Sequence, residues 1–181
     1  PDALISGAKL LADLGWEANQ PWLHEVNAPA SFDWSLSGID KELTVADWQK
    51  SGITARTELL GNSQLKASLI APQGRNGPLF LAYPNFKVLF EWNQSFVYVT
   101  TAAHFAARLS GAPVYDAGNP DAGLDGDRMK ALQSKLAARG YDVGKIDGIL
   151  GAGTRAAVQD VQIKLGMPAD AWPTPELLDR L

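Results

Sequence analysis

Five glycines crowd the segment Gly140–Val158, GYDVGKIDGILGAGTRAAV, and two phosphate-binding spacings lie inside it. Gly151-Ala-Gly153-Thr-Arg-Ala156 reads as GxGxxA, the dinucleotide pattern. Gly148 to Gly153 has the GxxxxG spacing of a P-loop. Either would place phosphate on the free N–H groups of a helix N-terminus. The surroundings speak against both. A dinucleotide site needs a preceding buried strand and an acid about twenty residues on, whereas here a helical run and an Asp-Gly turn come first. The P-loop Lys is missing as well, because Thr154-Arg155 follows Gly153. Gly140, Gly144 and Gly148 are then read as turn residues that accept positive φ. No other cofactor chemistry is indicated. The chain has no Cys and only two histidines, His24 and His104, so no thiolate ligand, Cys nucleophile or His-rich metal site is expected. Glu91, beside Trp92 and Asn93, is read as a solvated helix residue.

The elements that must carry these residues fall into two units. The 181 residues have enough apolar content for real cores, and a net charge of −4 argues against a nucleic-acid partner. No apolar run is long enough for a membrane span. The chain starts at Pro1 without Met or signal peptide, so a processed protein or a fragment is expected. The stretch Gly111–Asp127, GAPVYDAGNPDAGLDGD, has linker chemistry. Charge changes across it: residues 1–126 carry 8 basic and 13 acidic side chains, and residues 127–181 carry 8 and 7.

In the first unit a helix with Leu4, Ile5, Ala8, Leu11 and Ala12 on one face is expected to stop at Gly15. Thr44 and Asp47 form a capping box for a short helix around Trp48. Leu65–Ala71 and Leu79–Tyr83 read as a hairpin pair. Asn85–Trp92 and Ser95–Leu109 read as helices, the second with a stripe of Val99, Ala102, Ala106 and Leu109. Two long helices and one hairpin close a core poorly, so this unit is α+β and incomplete. The second unit reads as three helices: one capped by Asp127 and ending at Gly140, one starting at Thr154 and ending at Gly166, and one opened by Thr174-Pro175.

The second unit's spacing has a more specific reading. Leu132-Gln133-x-x-Leu136, Gly140-Tyr141-x-x-Gly144-x-Ile146-Asp147-Gly148-x-x-Gly151-x-x-Thr154-x-x-Ala157-Val158 and Gln162 together resemble the peptidoglycan-binding-like domain. The resemblance covers residues 127–181. It implies a three-helix fold and a shallow groove for cell-wall glycan or stem peptide, bordered by Asp147, Gly148, Thr154, Arg155 and Gln162.

The first unit carries a second resemblance. Tyr83-Pro-Asn85-Phe86, then Trp92-Asn93-x-Ser95-x-x-Tyr98, is similar to the end of the catalytic domain of lytic murein transglycosylase B relatives. Gly15-Trp16 and Pro21-Trp22-x-x-Glu25-Val26 fit the segment before that family's β-rich insertion. Trp92 stands where the family has Tyr, and Lys9-Leu10 where it often has Asn-Tyr. The resemblance covers residues 1–112, with 113–126 as linker. It implies an incomplete lysozyme-like catalytic domain with a small β insertion. Asn93 is then expected to hydrogen-bond the sugar near the scissile bond, with Trp92 and Tyr98 lining the cleft. The family's acid–base Glu lies in a Glu-Thr motif absent from this chain, so no catalytic residue is expected here and an upstream lysozyme-like segment is expected as partner. One carboxylate suffices where the muramyl 6-hydroxyl is the internal nucleophile, giving a 1,6-anhydro product instead of the two-carboxylate hydrolysis. The resemblance implies a periplasmic enzyme acting on peptidoglycan glycan strands and stem peptides without cofactor. The alternative is a non-catalytic peptidoglycan-binding protein.

Overall fold

The computed structural model describes residues 2–57, 59–93 and 95–181. The first unit is organised around an antiparallel sheet of five strands. These are β1 (Leu23–Asn27), β2 (Leu43–Thr44), β3 (Thr54–Ala55), β4 (Lys66–Ile70) and β5 (Leu79–Ala82), in the order β2-β4-β5-β1-β3. The expected hairpin forms β4 and β5, with Leu69 opposite Leu81 and Ile70 opposite Phe80. Both strands are buried on both faces, which explains why they read as continuous apolar runs. Leu69, Leu81 and Tyr83 pack on one side with Trp48, whose indole N–H donates to the Ala67 carbonyl at 2.8 Å. Ile70, Phe80 and Ala82 pack on the other side with Phe86, Phe96 and Val99. Burial of each such side chain contributes about 1.5–3 kcal/mol. Strands β1, β2 and β3, outside the hairpin, were not individually expected. They are two to five residues long and only partly buried, so no alternation develops.

Helices α1 (Asp2–Asp13), α2 (Val45–Lys50), α3 (Pro84–Trp92) and α4 (Phe96–Leu109) complete this unit. The first half of the capping box forms: the Thr44 hydroxyl oxygen accepts from the Asp47 N–H at 3.1 Å, while the Asp47 carboxylate accepts the Thr44 hydroxyl at 2.7 Å. Helix α1 has no buried residue, and Leu4 and Ile5 are 82% and 66% exposed. The stripe expected on α4 is corrected. Phe96, Val99 and Ala103 are its buried positions, whereas Leu109 is exposed, because the sheet meets the first two turns of the helix.

The second unit packs α5 (Gly126–Ala138), α6 (Ala152–Lys164) and α7 (Pro175–Arg180) around Leu132, Leu136, Val158 and Leu177. Two caps differ from expectation. Asp125, not Asp127, caps α5, its carboxylate accepting the Arg128 N–H. Gly151 is the N-cap of α6, which places Thr154 inside the first turn, where it is fully buried. Thr174 caps α7 with Pro175 behind it, as read.

The segment between α4 and α5 has no helix or strand, in keeping with its composition, yet it is pinned along its length. Glu25 accepts the Asp116 N–H, Arg56 donates to the Val114 carbonyl, and the Asn119 N–H donates to the Asn76 carbonyl. It is a strap laid along the first unit.

Candidate functional site

Helix α3 ends at Trp92 and α4 begins at Phe96, and the break between them assembles one candidate surface. Ser95 caps α4 through the Tyr98 N–H. Asn93 is the C-cap of α3, and its Oδ1 accepts the Ser95 N–H at 3.0 Å. Among the described residues its Nδ2 has no acceptor. The break brings the rings of Trp92 and Tyr98 to 5.7 Å, tilted by 54°, and both are about half exposed. Two exposed rings with an amide donor on the residue next to Trp92 offer a sugar an apolar platform and a hydrogen-bonding group. Glu91 is exposed beside them.

The five positions expected to form a groove in the second unit do not converge on open surface. Asp147 is exposed, and its carboxylate accepts the Ile149 N–H at 2.9 Å, which holds its pKa below the usual carboxylate value. Gly148 donates its N–H to Oε1 of Gln133 and sits at φ +82°. A Cβ there would lie 2.7 Å from the Gly126 carbonyl oxygen, so only glycine closes this turn onto α5. The side chains of the other three positions are buried. Thr154 is fully buried, donating to the Val143 carbonyl and accepting from Gln133. Gln162 is buried, donating to Asp170 and to the Trp172 carbonyl while accepting the Ala171 N–H.

Arg155 has a different role again, at a junction the sequence reading did not foresee. The residue is 8% exposed, and its guanidinium donates to the carbonyls of Pro72 at 2.7 Å and Ala71 at 3.5 Å, in the first unit. It lies over the Phe96 ring at 5.0 Å, and burial lowers its pKa to about 10, still protonated at neutral pH. One turn on, Gln159 donates to the carbonyls of Trp34 and Ser37 and accepts from Lys41. Asp170 accepts the Arg75 N–H. Trp172 packs onto Gly74, where a Cβ would meet its side chain at 2.8 Å, and its indole N–H donates to the Asp121 carbonyl of the strap. The polar face of α6 thus bolts one unit to the other. Arg155, Gln159 and Gln162 follow helical spacing on a face beside that of Val158 and Val161, and that spacing was the available signal of a second buried face.

Both histidines line one pocket of about 260 Å³ under the strap, with Glu25 and Tyr115. His24 Nδ1 lies 3.0 Å from the Tyr83 hydroxyl, whose pKa burial pushes up to about 12. The His104 ring meets Tyr115 edge-on at 4.5 Å. Burial and then Arg108 lower the His104 pKa, with Glu25 opposing. A folded pKa below the ordinary value of 6.5 means that the unfolded chain takes the proton first, so stability is lost as pH falls below about 6.5. The melting temperature is therefore expected to drop between about pH 7.5 and about pH 5.5, and to drop less in His104→Gln. Parallel pH profiles for the two proteins would exclude His104 as the source.

Comparison with known proteins adds matches of three kinds. A family model described as a transglycosylase SLT domain matches residues 1–107, and one described as a putative peptidoglycan binding domain matches residues 125–181. SltB3 of Pseudomonas aeruginosa, solved in complex with NAG-anhNAM-pentapeptide, is 40% identical with a TM-score of 0.84. The match covers 99% of this chain and 49% of that one, and the SltB3 complex with NAG-NAM-pentapeptide gives the same figures. A spore cortex-lytic enzyme of Bacillus cereus is 42% identical over 48 residues, 26% of this chain and 18% of that protein. The chain thus spans about half the length of the solved relatives and less of the curated one. Similarity at that TM-score across nearly the whole chain includes both units in their mutual placement.

Proposed function

Since this chain belongs to the transglycosylase SLT domain family, we propose that it is part of a lytic transglycosylase cleaving the MurNAc–GlcNAc β-1,4 bond of peptidoglycan, with formation of 1,6-anhydroMurNAc. The carrying observation is the exposed pair Trp92 and Tyr98, 5.7 Å apart, with Asn93 next to Trp92 in the chain. The rings take the apolar face of a sugar, and Nδ2 of Asn93 donates to a polar substituent near the scissile bond. Asp147 and Gly148, at the exposed turn, contribute to holding the polymer beside the second unit. The acid–base Glu comes from a segment upstream of Pro1. It protonates the leaving oxygen and then takes the proton of the muramyl 6-hydroxyl as that oxygen closes onto the anomeric carbon. The place of action is the bacterial periplasm.

The same reading gives the bare helices an occupant. Leu4 and Ile5 of α1 and Phe105 and Leu109 of α4 are 63% to 82% exposed, and a groove of about 600 Å³ runs between Trp16, Trp22 and Ala106. Exposed apolar surface of this extent marks an interface. The upstream lysozyme-like segment covers it.

The 181-residue chain is expected to co-sediment with purified sacculi and to release no anhydromuropeptides by mass spectrometry. A chain that stays in the supernatant refutes the substrate class. Anhydro products abolished by Glu91→Gln would move the acid into this chain. The second reading, a non-catalytic wall-binding protein, is favoured by the solvent exposure of Glu91, the carboxylate next to the aromatic pair. It predicts that adding the upstream segment yields no cleavage.

A further inference from the structure

Two ring pairs span the break between α3 and α4. The outer pair is Trp92 and Tyr98 at 5.7 Å. The inner pair is Phe90 and Phe96, edge to face at 4.9 Å and 63°. Each inner residue precedes its outer neighbour by two positions, about 200° around a helix, so the pairs occupy opposite sides of one break. Burial agrees: Phe96 is buried and Phe90 half-buried, whereas Trp92 and Tyr98 are about half exposed. Phe96 is the first residue of α4, so a shift of its ring turns the start of the helix that carries Tyr98.

Phe96 is also where the second unit meets this break. The Arg155 guanidinium lies over its ring at 5.0 Å and over the Trp172 ring at 6.0 Å. The carbonyls of Ala71 and Pro72 fix the guanidinium in place, and Asp170, buried nearby, favours its charged form. Its Nε has no hydrogen-bond partner among the described residues, so the ring faces supply part of what compensates burial of the cation. Phe86 approaches the same Phe96 ring from α3 at 6.5 Å. Phe96 is thus gripped by α3 and by the second unit together. We propose that Arg155 and Phe96 are positioning residues: through Arg155 the second unit presses Phe96 against Phe90 and so sets the spacing of Trp92 and Tyr98. The second unit then contributes to sugar binding on the first without touching the sugar, a consequence that rests on the sugar-platform reading above. By linkage, a sugar held by Trp92 and Tyr98 strengthens the docking of the second unit by the same factor.

Chitotetraose titrated into the full chain, read by the side-chain NMR signals of Trp92 and Tyr98, tests this. Phe90→Leu keeps an apolar side chain at a half-buried position and leaves the bonds of Arg155 and Gln159 to the first unit in place. Arg155→Lys keeps the charge and a donor for one carbonyl but presents no planar group to the Phe96 ring. Both are expected to move the Trp92 and Tyr98 signals of the free protein. Both are also expected to weaken chitotetraose binding at least roughly fivefold while one melting transition is kept. Gln159→Ala is the control for a junction that is merely looser. It loses the bonds to the carbonyls of Trp34 and Ser37, and is expected to lower the melting temperature with sugar affinity unchanged. The inference is overturned if either Arg155→Lys or Phe90→Leu leaves ring signals and affinity as in wild type. It is equally overturned if Gln159→Ala weakens sugar binding as much as Arg155→Lys, because affinity would then follow junction stability alone. In both cases wild type still binds chitotetraose and the platform reading stands. Wild-type Trp92 and Tyr98 signals that ignore chitotetraose overturn the platform reading, and with it the consequence for sugar binding.

Discussion

Replacing Arg155 with alanine is expected to release the second unit from the first, at a cost to the docked state of about 2–4 kcal/mol. Two backbone carbonyls, of Ala71 and Pro72, lose a charged donor, and each such hydrogen bond is worth about 1.5–3 kcal/mol. The contact with the Phe96 ring at 5.0 Å disappears too. Asp170 survives the loss better than an isolated carboxylate, because it keeps the N–H groups of Arg75 and Trp172 and the Gln162 amide. Each unit has its own core, so neither should unfold when the bolt is removed. Calorimetry is expected to show one wild-type transition splitting into two in Arg155→Ala. Proteolysis is expected to cut the strap near Asp121, whose carbonyl loses the Trp172 indole N–H when the units part. A single unchanged transition with an intact strap would show that Trp172 and Gln159 hold the junction without Arg155.

Asn93→Asp is expected to lower turnover of the complete enzyme at least roughly tenfold, about 1.4 kcal/mol of transition-state stabilisation. The substitution separates the two ends of the amide. Oδ1 accepts the Ser95 N–H at 3.0 Å, and a carboxylate oxygen keeps that bond, so the turn between α3 and α4 survives. The two donors of Nδ2 are lost, and with them any bond to the substrate. Melting temperature should change little, since Ser95 caps α4 independently. In Asn93→Ala both ends go, so stability and turnover should fall together. Unchanged turnover in Asn93→Asp, with Asn93→Ala losing stability alone, would reduce this residue to a turn former.

The two sites differ in how far the sequence exposed them. Trp92, Asn93 and Tyr98 lie within seven consecutive positions, and the structure brings them together because the chain breaks between two helices at Asn93. The second-unit positions had equally local signals. There the residue types were right and their partners hidden. Thr154 looked like an exposed cap one turn too late, because a Gly at the N-cap leaves no side-chain signature.

What the sequence by itself determined was everything set by neighbours along the chain. This includes the capping box at Thr44, the β4–β5 hairpin, the three helices of the second unit and the two family resemblances. Only the tertiary structure decided that the linker is a strap, that α6 has two buried faces, and that Arg155 of one unit lies over the Phe96 ring of the other. The physical reason is separation. Arg155 meets carbonyls 83 and 84 residues away, and Gln159 meets carbonyls 122 and 125 away. The Arg and Gln side chains favour a helix equally whether their polar ends face water or another unit's backbone. Their local pattern therefore carries no record of the partner, and packing of the whole chain supplies it.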